Sequence, residues 1–430
     1  MDTVKLLENG KWPDEENEEQ VQLAGKLHKL NAKDRRIMTV LERKKIVKHL
    51  DGDGKLKLEA SKFIGTAQFE KFQLKIVPKV YGTIRPEDED DWGRVGKWIT
   101  FAEDFTAQKR VTDTTSFTMD ENLTLADWMI WRLVDECDTL LQRGLKKSYV
   151  THLEATPMLR GRMALVEQIQ LDARLVPKFA CEFDELEYDN LENRILLHTL
   201  LKCMGMTNWP ELRKRTLTDI RRLESLQVKD VLKVGDIEKM QRSYTRLNDH
   251  YKQPHTICKM IMQHIGVSDF YSGRTLSIVP FFVDMPDIFE KFVQRLFEKY
   301  HEDGITVKPQ LSEKAWNGPG LSRWSTPDIG LYRGDNLEEI VDMKYKDKLT
   351  SNDLYQLGFY MHEYGGGGVK QAFAIMPNTR SADGPYESER HHKMVYEKRV
   401  NLDDYTELID SNNKPELKKL VKDLTTPPSP

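Results

Sequence analysis

The period of the apolar positions changes along the chain and divides it into three regions. Up to about residue 120, short runs with a two-residue period predict strands, as in FEKFQLKIVPKVYGTI at 69–84 and, more briefly, in WITFAEDFT. From 121 to 270 the apolar positions recur at helical spacing, as in LADWMIWRLVDECDTLLQRGL at 125–145. The sequence therefore predicts an α/β protein of the α+β, multi-domain kind. Its parts are a β-rich N-terminal domain (1–120), a mostly helical middle region (121–270) and a mixed C-terminal domain (271–430).

The C-terminal region alternates helical and strand patterns in a defined order. PDIFEKFVQRLFEKY at 286–300 predicts an amphipathic helix with Pro286 in its first turn. Three strand-like runs follow, then the helical SNDLYQLGFYMHEY at 351–364 and the strand-like KQAFAIMPNT at 370–379. The order α-β-β-β-α-β predicts a small mixed sheet flanked by helices.

Composition narrows the class of protein without naming a partner. A chain of 430 residues has room for two or three domains of ~100–200 residues. The net charge of −4 gives no sign of nucleic-acid binding by the chain as a whole. None of the four cysteines sits in a CxxC pair, which argues against structural zinc and disulfides and fits a reducing compartment. Without an apolar signal segment or an apolar run of ~18 residues, we expect a cytoplasmic protein that does not insert into membranes.

The run IVDMKYK at 340–346 places two charged side chains on one face of a strand that reads as partly buried. Strand side chains alternate, so Asp342 and Lys344 are neighbours on one face, separated by ~7 Å along the strand. Burying an acid and an amine is costly unless they are paired or bind something. This position therefore predicts either an ion pair at a strand end or a chemical site.

A second carboxylate, Asp328 in TPDIGLY, precedes this strand on a run joined to it by a short turn. If Tyr332 pairs with Leu337 in an unbroken hairpin, Asp328 lies opposite Val341 and points to the wrong face. A bulge or an odd-length loop is needed to bring the two carboxylates onto one face.

Two carboxylates beside a lysine predict a site for a hard cation, Mg²⁺ with Mn²⁺ as an alternative. Mg²⁺ takes one or two protein carboxylates and completes its shell with water and substrate phosphate. The ion neutralises phosphate charge and lowers the pKa of its bound water, and an adjacent lysine orients that water or stabilises developing charge. The implied chemistry is hydrolysis of a phosphodiester.

The succession TPD, DMK and a helix with Gln356 and Tyr360 one turn apart resembles the PD-(D/E)xK nuclease superfamily. More narrowly, IVDMKYK followed by SNDLYQLGFY resembles the McrC subunits of the McrBC modification-dependent (type IV) restriction endonucleases. LRGRMALVEQI, FACEFDELEYDNLENRILLHTLL and FIGTAQFEKFQLKIVPKV extend the resemblance over roughly residues 60 to 380. Met343 departs from the pattern, in which a small residue is more usual.

The resemblance implies a C-terminal restriction-endonuclease-like domain with assigned site residues. Asp328 and Asp342 are expected to bind the metal, with the Met343 carbonyl as a further ligand, and Lys344 to serve the attacking water.

Three more residues enter through the resemblance, each with an alternative. Gln356 and Tyr360 are expected to support the catalytic site or touch the DNA backbone, and a packing role is the alternative. Glu290 stands where many members have a further acidic metal residue, and a surface glutamate is the alternative.

The resemblance also implies partners: a McrB-like AAA+ GTPase hexamer and double-stranded DNA with modified bases. Residues 1–120 are expected to contact and stimulate the ring, with Asp88–Asp91 and Thr112–Asp120 as candidate contacts. The chain itself lacks the GxxxxGK[ST] spacing of a phosphate-binding loop, so we expect no nucleotide site of its own. Two other functions stay open: a RecB-like exonuclease working with a helicase, and a non-catalytic adaptor that activates the AAA+ partner.

Overall fold

The computed structural model describes residues 2–427 except 51–53, 80–91, 104–123, 234, 266–280, 311–312, 319–320 and 365–367. The packing of Cα atoms divides the chain into two compact units, one of Met1–Leu125 with Pro280–Pro430 and one of Ala126–Val279. The mixture of helices and several sheets confirms the predicted α/β class. The three predicted domain boundaries stay predictions, and the candidate ring contacts at 88–91 and 112–120 lie outside the described residues.

In its described residues, the N-terminal part of the first unit holds three helices as well as strands. The predicted strand at 69–84 is confirmed in part, since the strand runs from Phe72 to Val77 and ends before Pro78. The strand-like reading of WITFAEDFT is wrong, because Trp98 to Ala102 close a helix whose buried residues recur every three or four positions. The elements are β1 Asp2–Leu7, β2 Lys11–Trp12, α1 Glu18–Leu27, α2 Ala32–Arg43, β3 Val47–Leu50, β4 Lys57–Ala60, β5 Phe63–Gln68, β6 Phe72–Val77 and α3 Trp92–Ala102.

The C-terminal part of the first unit contains the predicted α-β-β-β-α-β order with one added hairpin, β12–β13. The elements are β10 Phe281–Asp284, α10 Met285–Tyr300, β11 Thr306–Pro309, β12 Glu313–Gly318, β13 Leu321–Ser325, β14 Ile329–Arg333, β15 Asn336–Met343, α11 Ser351–Glu363, β16 Gln371–Pro377, β17 Tyr386–Glu387, β18 Met394–Val400, α12 Leu402–Asp410 and α13 Lys414–Leu424.

The main sheet of this region is mixed, as predicted. Its strand order is β11-β14-β15-β16-β18-β17. β14 runs antiparallel to β15, whereas β15, β16 and β18 run parallel to one another. The central strands are buried on both faces, so their sequences read as continuous apolar runs. The carboxyl ends of β15 and β16 therefore open at the same edge of the sheet.

A second sheet joins the two parts of the first unit. Its order is β1-β6-β5-β10, so a strand from the C-terminal segment completes an N-terminal sheet. β10 pairs antiparallel with β5 and continues directly into α10. At Gly65 in β5 the backbone has φ +145°, and a Cβ there would lie 2.0 Å from the Phe281 carbonyl oxygen. Glycine is required for this close approach of two strands.

The second unit is mainly helical, and the helix predicted at 125–145 is confirmed. It also contains a three-stranded antiparallel sheet, β7-β9-β8, that the sequence pattern did not predict. None of the helices in the described part of the chain is both long and apolar enough to cross a membrane. The elements are α4 Leu125–Arg143, β7 Ser148–Thr156, β8 Arg162–Met163, α5 Leu165–Ala173, β9 Phe179–Glu187, α6 Leu191–Cys203, α7 Pro210–Ser225, α8 Asp236–Gln241, a 3₁₀ turn Asp249–Tyr251 and α9 Lys252–Ile265.

Candidate functional site

A β-bulge in the β14–β15 hairpin decides which carboxylates face each other. Tyr332 pairs with Leu337, but Ile329 pairs with Val341, so the register shifts by one residue within the hairpin. The shift places Asp328, immediately before β14, opposite Asp342. The structural condition on which the site hypothesis depends is therefore met, by a bulge rather than by the loop.

Asp328 and Asp342 form a tightly packed carboxyl pair at the end of the two strands. Asp342 is only 2% exposed and Asp328 is half-buried. The Asp328 carboxylate accepts a hydrogen bond from the Met343 backbone N–H at 2.6 Å, which fixes its orientation. Burial, followed by the charge of Asp342, raises the pKa of Asp328 to about 7. Burial also raises the pKa of Asp342. Such a pair holds a proton near neutral pH unless a cation replaces it.

Lys344 provides the positive charge beside this pair. Its Nζ lies 2.7 Å from Asp342 Oδ2 and donates a hydrogen bond to Gln356 Oε1 at 3.0 Å. Burial alone lowers the pKa of Lys344, but the adjacent Asp342 carboxylate outweighs burial and raises it. The amine therefore stays protonated at neutral pH and can only donate hydrogen bonds.

Gln356 and Tyr360 link Lys344 to the protein backbone. Gln356 Nε2 lies 2.6 Å from the Tyr360 hydroxyl, which in turn donates to the Thr326 carbonyl at 3.3 Å. Tyr360 is buried, whereas Gln356 is exposed at the surface of α11. Support of the site, contact with DNA and a packing role all stay predictions for these two residues.

The start of α11 is held to the segment that follows β15. Thr350 and Asp353 form a capping box. The backbone N–H and the hydroxyl of Thr350 both donate to Asp353 Oδ2, at 2.7 and 2.6 Å. Lys346 Nζ pairs with the same Asp353 carboxylate. Lys346 thus serves the junction between strand and helix, and this ties the helix with Gln356 to the strand with Lys344.

Glu290 on α10 lies near the carboxyl pair rather than at the open surface. It is half-buried, and its pKa is raised by burial, then by the negative charges of Asp287 and Asp342. The side chain accepts a hydrogen bond from Gln310. In the described residues, the single group of three His, Cys or acidic ligand atoms within 4.8 Å of one another is His152, Glu185 and Glu187. Glu290 therefore does not complete such a group with the two aspartates.

Gln310 is a residue of this site that sequence reasoning missed. Its backbone N–H donates to the Asp328 carbonyl at 2.7 Å, and its side chain holds Glu290. It adopts a positive φ of 48° just after β11. No local pattern in VKPQLS distinguishes this glutamine from a surface loop residue, because its role comes from strand pairing across the sheet.

The donor set fits a hard divalent cation. The groups are carboxylate oxygens, which Mg²⁺ and Mn²⁺ prefer, with no sulfur or imidazole among them. Asp342 Oδ2 is buried and in ion-pair contact with Lys344, yet it accepts no hydrogen bond of good geometry from the described residues. Its unused lone pairs are suited to a metal. The Met343 side chain is buried, and the Met343 carbonyl as a further ligand stays a prediction.

A known protein family matches the segment that contains this geometry. The family model described as the McrBC 5-methylcytosine restriction system component matches residues 58–370. None of the curated proteins compared with the chain matches it.

Solved structures that are similar to the chain include two from Thermococcus gammatolerans. One is from the refined half-complex of a tetradecameric assembly of Thermococcus gammatolerans McrB AAA+ hexamers with bound McrC. It is 21% identical, with a TM-score of 0.61, over 96% of this chain and 99% of that one. The other is from the cryo-EM structure of the Thermococcus gammatolerans McrBC complex, at 20% identity and a TM-score of 0.47, over 69% and 88% of the respective chains.

The family match extends over most of the sequence, and it includes the β14–β15 hairpin, Lys344 and α11. The recognition of a McrBC-family chain from its sequence motifs is thereby confirmed. The chain belongs to the family of McrBC 5-methylcytosine restriction system components.

Proposed function

We propose that this chain is the nuclease subunit of a modification-dependent restriction complex and hydrolyses DNA phosphodiester bonds with Mg²⁺. The mixed C-terminal sheet is then a PD-(D/E)xK domain. The proposal depends above all on one observation: Asp328, Asp342 and Lys344 come together at one edge of the sheet through a bulge. A simple strand-end ion pair does not require the second carboxylate.

Each residue of the site has a distinct task in this reaction. Asp328 and Asp342 hold the cation, which, when bound, neutralises phosphate charge and lowers the pKa of its water. Lys344 stays protonated and donates hydrogen bonds toward the attacking water or the developing negative charge. Gln356 and Tyr360 limit the Lys344 side chain to one orientation, which reduces the entropy lost in reaching the reactive arrangement.

The partner that we propose is a McrB-type AAA+ GTPase hexamer, in line with the family and with the similar archaeal assembly of McrB AAA+ hexamers with bound McrC. Ring contacts in residues 1–120 remain part of this proposal.

A further surface in the second unit has the character of a protein interface, since α5 buries none of its residues. Exposed apolar side chains gather on α5 and the adjoining strands and loops: Tyr149, Leu153, Met158, Leu159, Leu165, Val166, Ile169, Leu175, Phe179 and Leu186.

The test is cleavage of closed-circular DNA, methylated and unmethylated, by the chain together with its AAA+ partner, GTP and Mg²⁺. We expect wild type to open the methylated circle. D342A and K344A should not cleave, because D342A removes a carboxylate of the metal site and K344A removes the positive charge beside it. Both should still stimulate the partner's GTP hydrolysis.

Other outcomes identify the two alternative functions. Degradation of linear DNA with the circle left intact indicates a RecB-like exonuclease. GTPase stimulation by wild type without any cleavage indicates an adaptor. Cleavage that persists in both D342A and K344A contradicts the proposed site.

A further inference from the structure

The segment that follows β15 contacts α11 on one side and the N-terminal sheet on the other. Lys344 and Lys346 point toward α11, where they contact Gln356 and Asp353 respectively. Because side chains alternate along an extended chain, Tyr345 points the opposite way. Its hydroxyl contacts Glu8 at the end of β1, so neighbouring residues of this segment contact different parts of the unit.

The contacts on the N-terminal side come from the ends of two neighbouring parallel strands. Glu8 follows β1 and Lys79 follows β6, and the Glu8 N–H donates to the Val77 carbonyl at 2.9 Å. The Tyr345 hydroxyl donates to Glu8 Oε1, and the Lys79 backbone N–H donates to the same oxygen at 3.2 Å. Lys79 Nζ pairs with Asp347 at 3.2 Å. We call Glu8, Lys79, Tyr345 and Asp347 the clamp.

The Glu8 end of the clamp is buried, whereas the Lys79–Asp347 ion pair is partly exposed. Glu8 is only 2% exposed, so leaving its carboxyl group without partners would be costly. The Tyr345 ring packs against Phe289 at 5.5 Å between ring centroids. Phe289 precedes Glu290 on α10, and α10 continues from β10, the strand that completes the N-terminal sheet.

One sheet therefore holds both sides of the candidate metal site. Through β10 it fixes the start of the helix that carries Glu290, and through the clamp it fixes the segment that carries Lys344. β15 ends at Met343, so Tyr345 and Asp347 of the clamp lie beyond the strand. Beyond that point, the Lys344 N–H still donates to the Ile375 carbonyl at 2.9 Å.

We propose that Glu8, Lys79 and Tyr345 are positioning residues for the nuclease centre, and that the N-terminal sheet sets the orientation of Lys344 through them. This inference rests on the proposed nuclease function. The physical reason is that the clamp restrains the backbone directly beside Lys344, and displacement of a catalytic group by ~1 Å is enough to slow a reaction ~100-fold.

The experiment compares E8A, Y345F and E8Q in the full chain with its AAA+ partner. E8A and Y345F should lower kcat for cleavage about tenfold or more, with KM for DNA and GTPase stimulation close to wild type. E8Q should restore cleavage, because the amide oxygen still accepts hydrogen bonds from Tyr345 and Lys79. Y345F keeps the ring against Phe289 and removes only the hydroxyl. A loss of cleavage in Y345F therefore cannot be attributed to the unfolding that E8A could cause.

The matched control is K97A. Lys97 on α3 pairs with Asp410 at 2.7 Å and also links N-terminal and C-terminal segments, but it does not contact the site. K97A should cleave at the wild-type rate. Equal losses in K97A and Y345F, or wild-type rates in both E8A and Y345F, overturn the inference.

Hydrogen exchange gives a second result that does not depend on cleavage. The Lys344 amide should exchange about tenfold faster or more in Y345F than in wild type or K97A, because the restraint on the segment is lost. If wild type fails to cleave, or if D342A cleaves, the proposed function fails while exchange still tests the clamp. If wild type cleaves, D342A does not, and Y345F exchanges and cleaves like wild type, the clamp proposal alone fails.

Discussion

Asp328 and Asp342 show how the position of a side chain, rather than its type, determines its chemistry. Asp342 lies on β15 between apolar residues that bury it, and its partner is set by the bulge opposite. The alternation of IVDMKYK was sufficient to predict that Asp342 and Lys344 share a face. The bulge was not predictable, since the extra residue, Glu338, has no sequence feature that distinguishes it from its neighbours.

The carboxyl pair predicts a pH-dependent affinity for divalent cations. The pKa of Asp328 is raised from 3.8 to about 7, so stability from its protonated form is complete below pH 3.8 and is lost as pH rises through 7. A cation needs the deprotonated form, so we expect Mg²⁺ to bind up to ~10-fold more tightly per pH unit between pH 6 and 7, levelling off above. The measurement is the rise in Tm with added Mg²⁺ or Mn²⁺ at pH 6, 7 and 8.

The control for this titration is the double variant D328N/D342N, which should lose both the metal-induced rise in Tm and its pH dependence. A rise of the same size at every pH, or one that persists in the double variant, would show that the cation binds elsewhere.

Tyr360 allows a test of the supporting chain behind Lys344. Y360F removes the hydroxyl that joins Gln356 to the Thr326 carbonyl, while the ring stays buried. The hydroxyl makes both of these hydrogen bonds. Loss of one is worth about 0.5–1.5 kcal/mol, so we expect cleavage to slow by at least roughly 2- to 13-fold. Single-turnover cleavage at saturating Mg²⁺ measures it. Tyr355, 74% exposed on the same helix, supplies the control Y355F, which should behave as wild type; equal slowing in both variants contradicts this role.

At the scale of elements, periodicity predicted those segments whose one face is buried. The helices at 285–300 and 351–363 were found because their apolar positions recur at helical spacing. The β7-β9-β8 sheet escaped prediction because β7 buries none of its residues, and β9 buries Ala180, Cys181 and Phe183 without a regular two-residue period. Helix α3 was misread because its fragment WITFA, taken alone, has the composition of a strand.

Because α5 is exposed, a substitution on it should leave the stability of the fold unchanged and still reduce stimulation of the partner's GTP hydrolysis. Val166 is 66% exposed, and aspartate is well tolerated at a helix N-terminus, so V166D should leave Tm within about 1 °C of wild type. It should nevertheless reduce stimulation of the partner's GTP hydrolysis several-fold, since a charge then enters an apolar contact. L247D is the control, because Leu247 is 82% exposed elsewhere in the second unit. GTPase stimulation in V166D that equals the L247D value would rule out α5 as a partner surface.

At the scale of the whole molecule, the unpredicted feature is the union of Met1–Leu125 with Pro280–Pro430 in one compact unit. Periodicity is a local property, and it carries no information about which strands pair across a long stretch of chain. β5 pairs with β10, and the clamp joins Glu8 to Tyr345, 337 positions later in the chain. β10 of the C-terminal segment thus shares a sheet with β5, a pairing that local patterns do not reveal, and the division at 120 and 270 stays a prediction.

The shared sheet makes a prediction about Gly65 that extends across the unit. A Cβ at Gly65 would lie 2.0 Å from the Phe281 carbonyl, so G65A must move β10 away from β5 and should cost more than ~2 kcal/mol of the free energy of unfolding. If the unit is cooperative, amide exchange should speed up in β16 as much as in β5, although β16 belongs to the other sheet. G25A is the matched control, because an added Cβ at Gly25 in α1 meets nothing within 4 Å and alanine favours the helix. Faster exchange confined to β5 would mean that the N-terminal sheet opens independently of the candidate metal site, and the sheet would then be too loosely coupled to position Lys344.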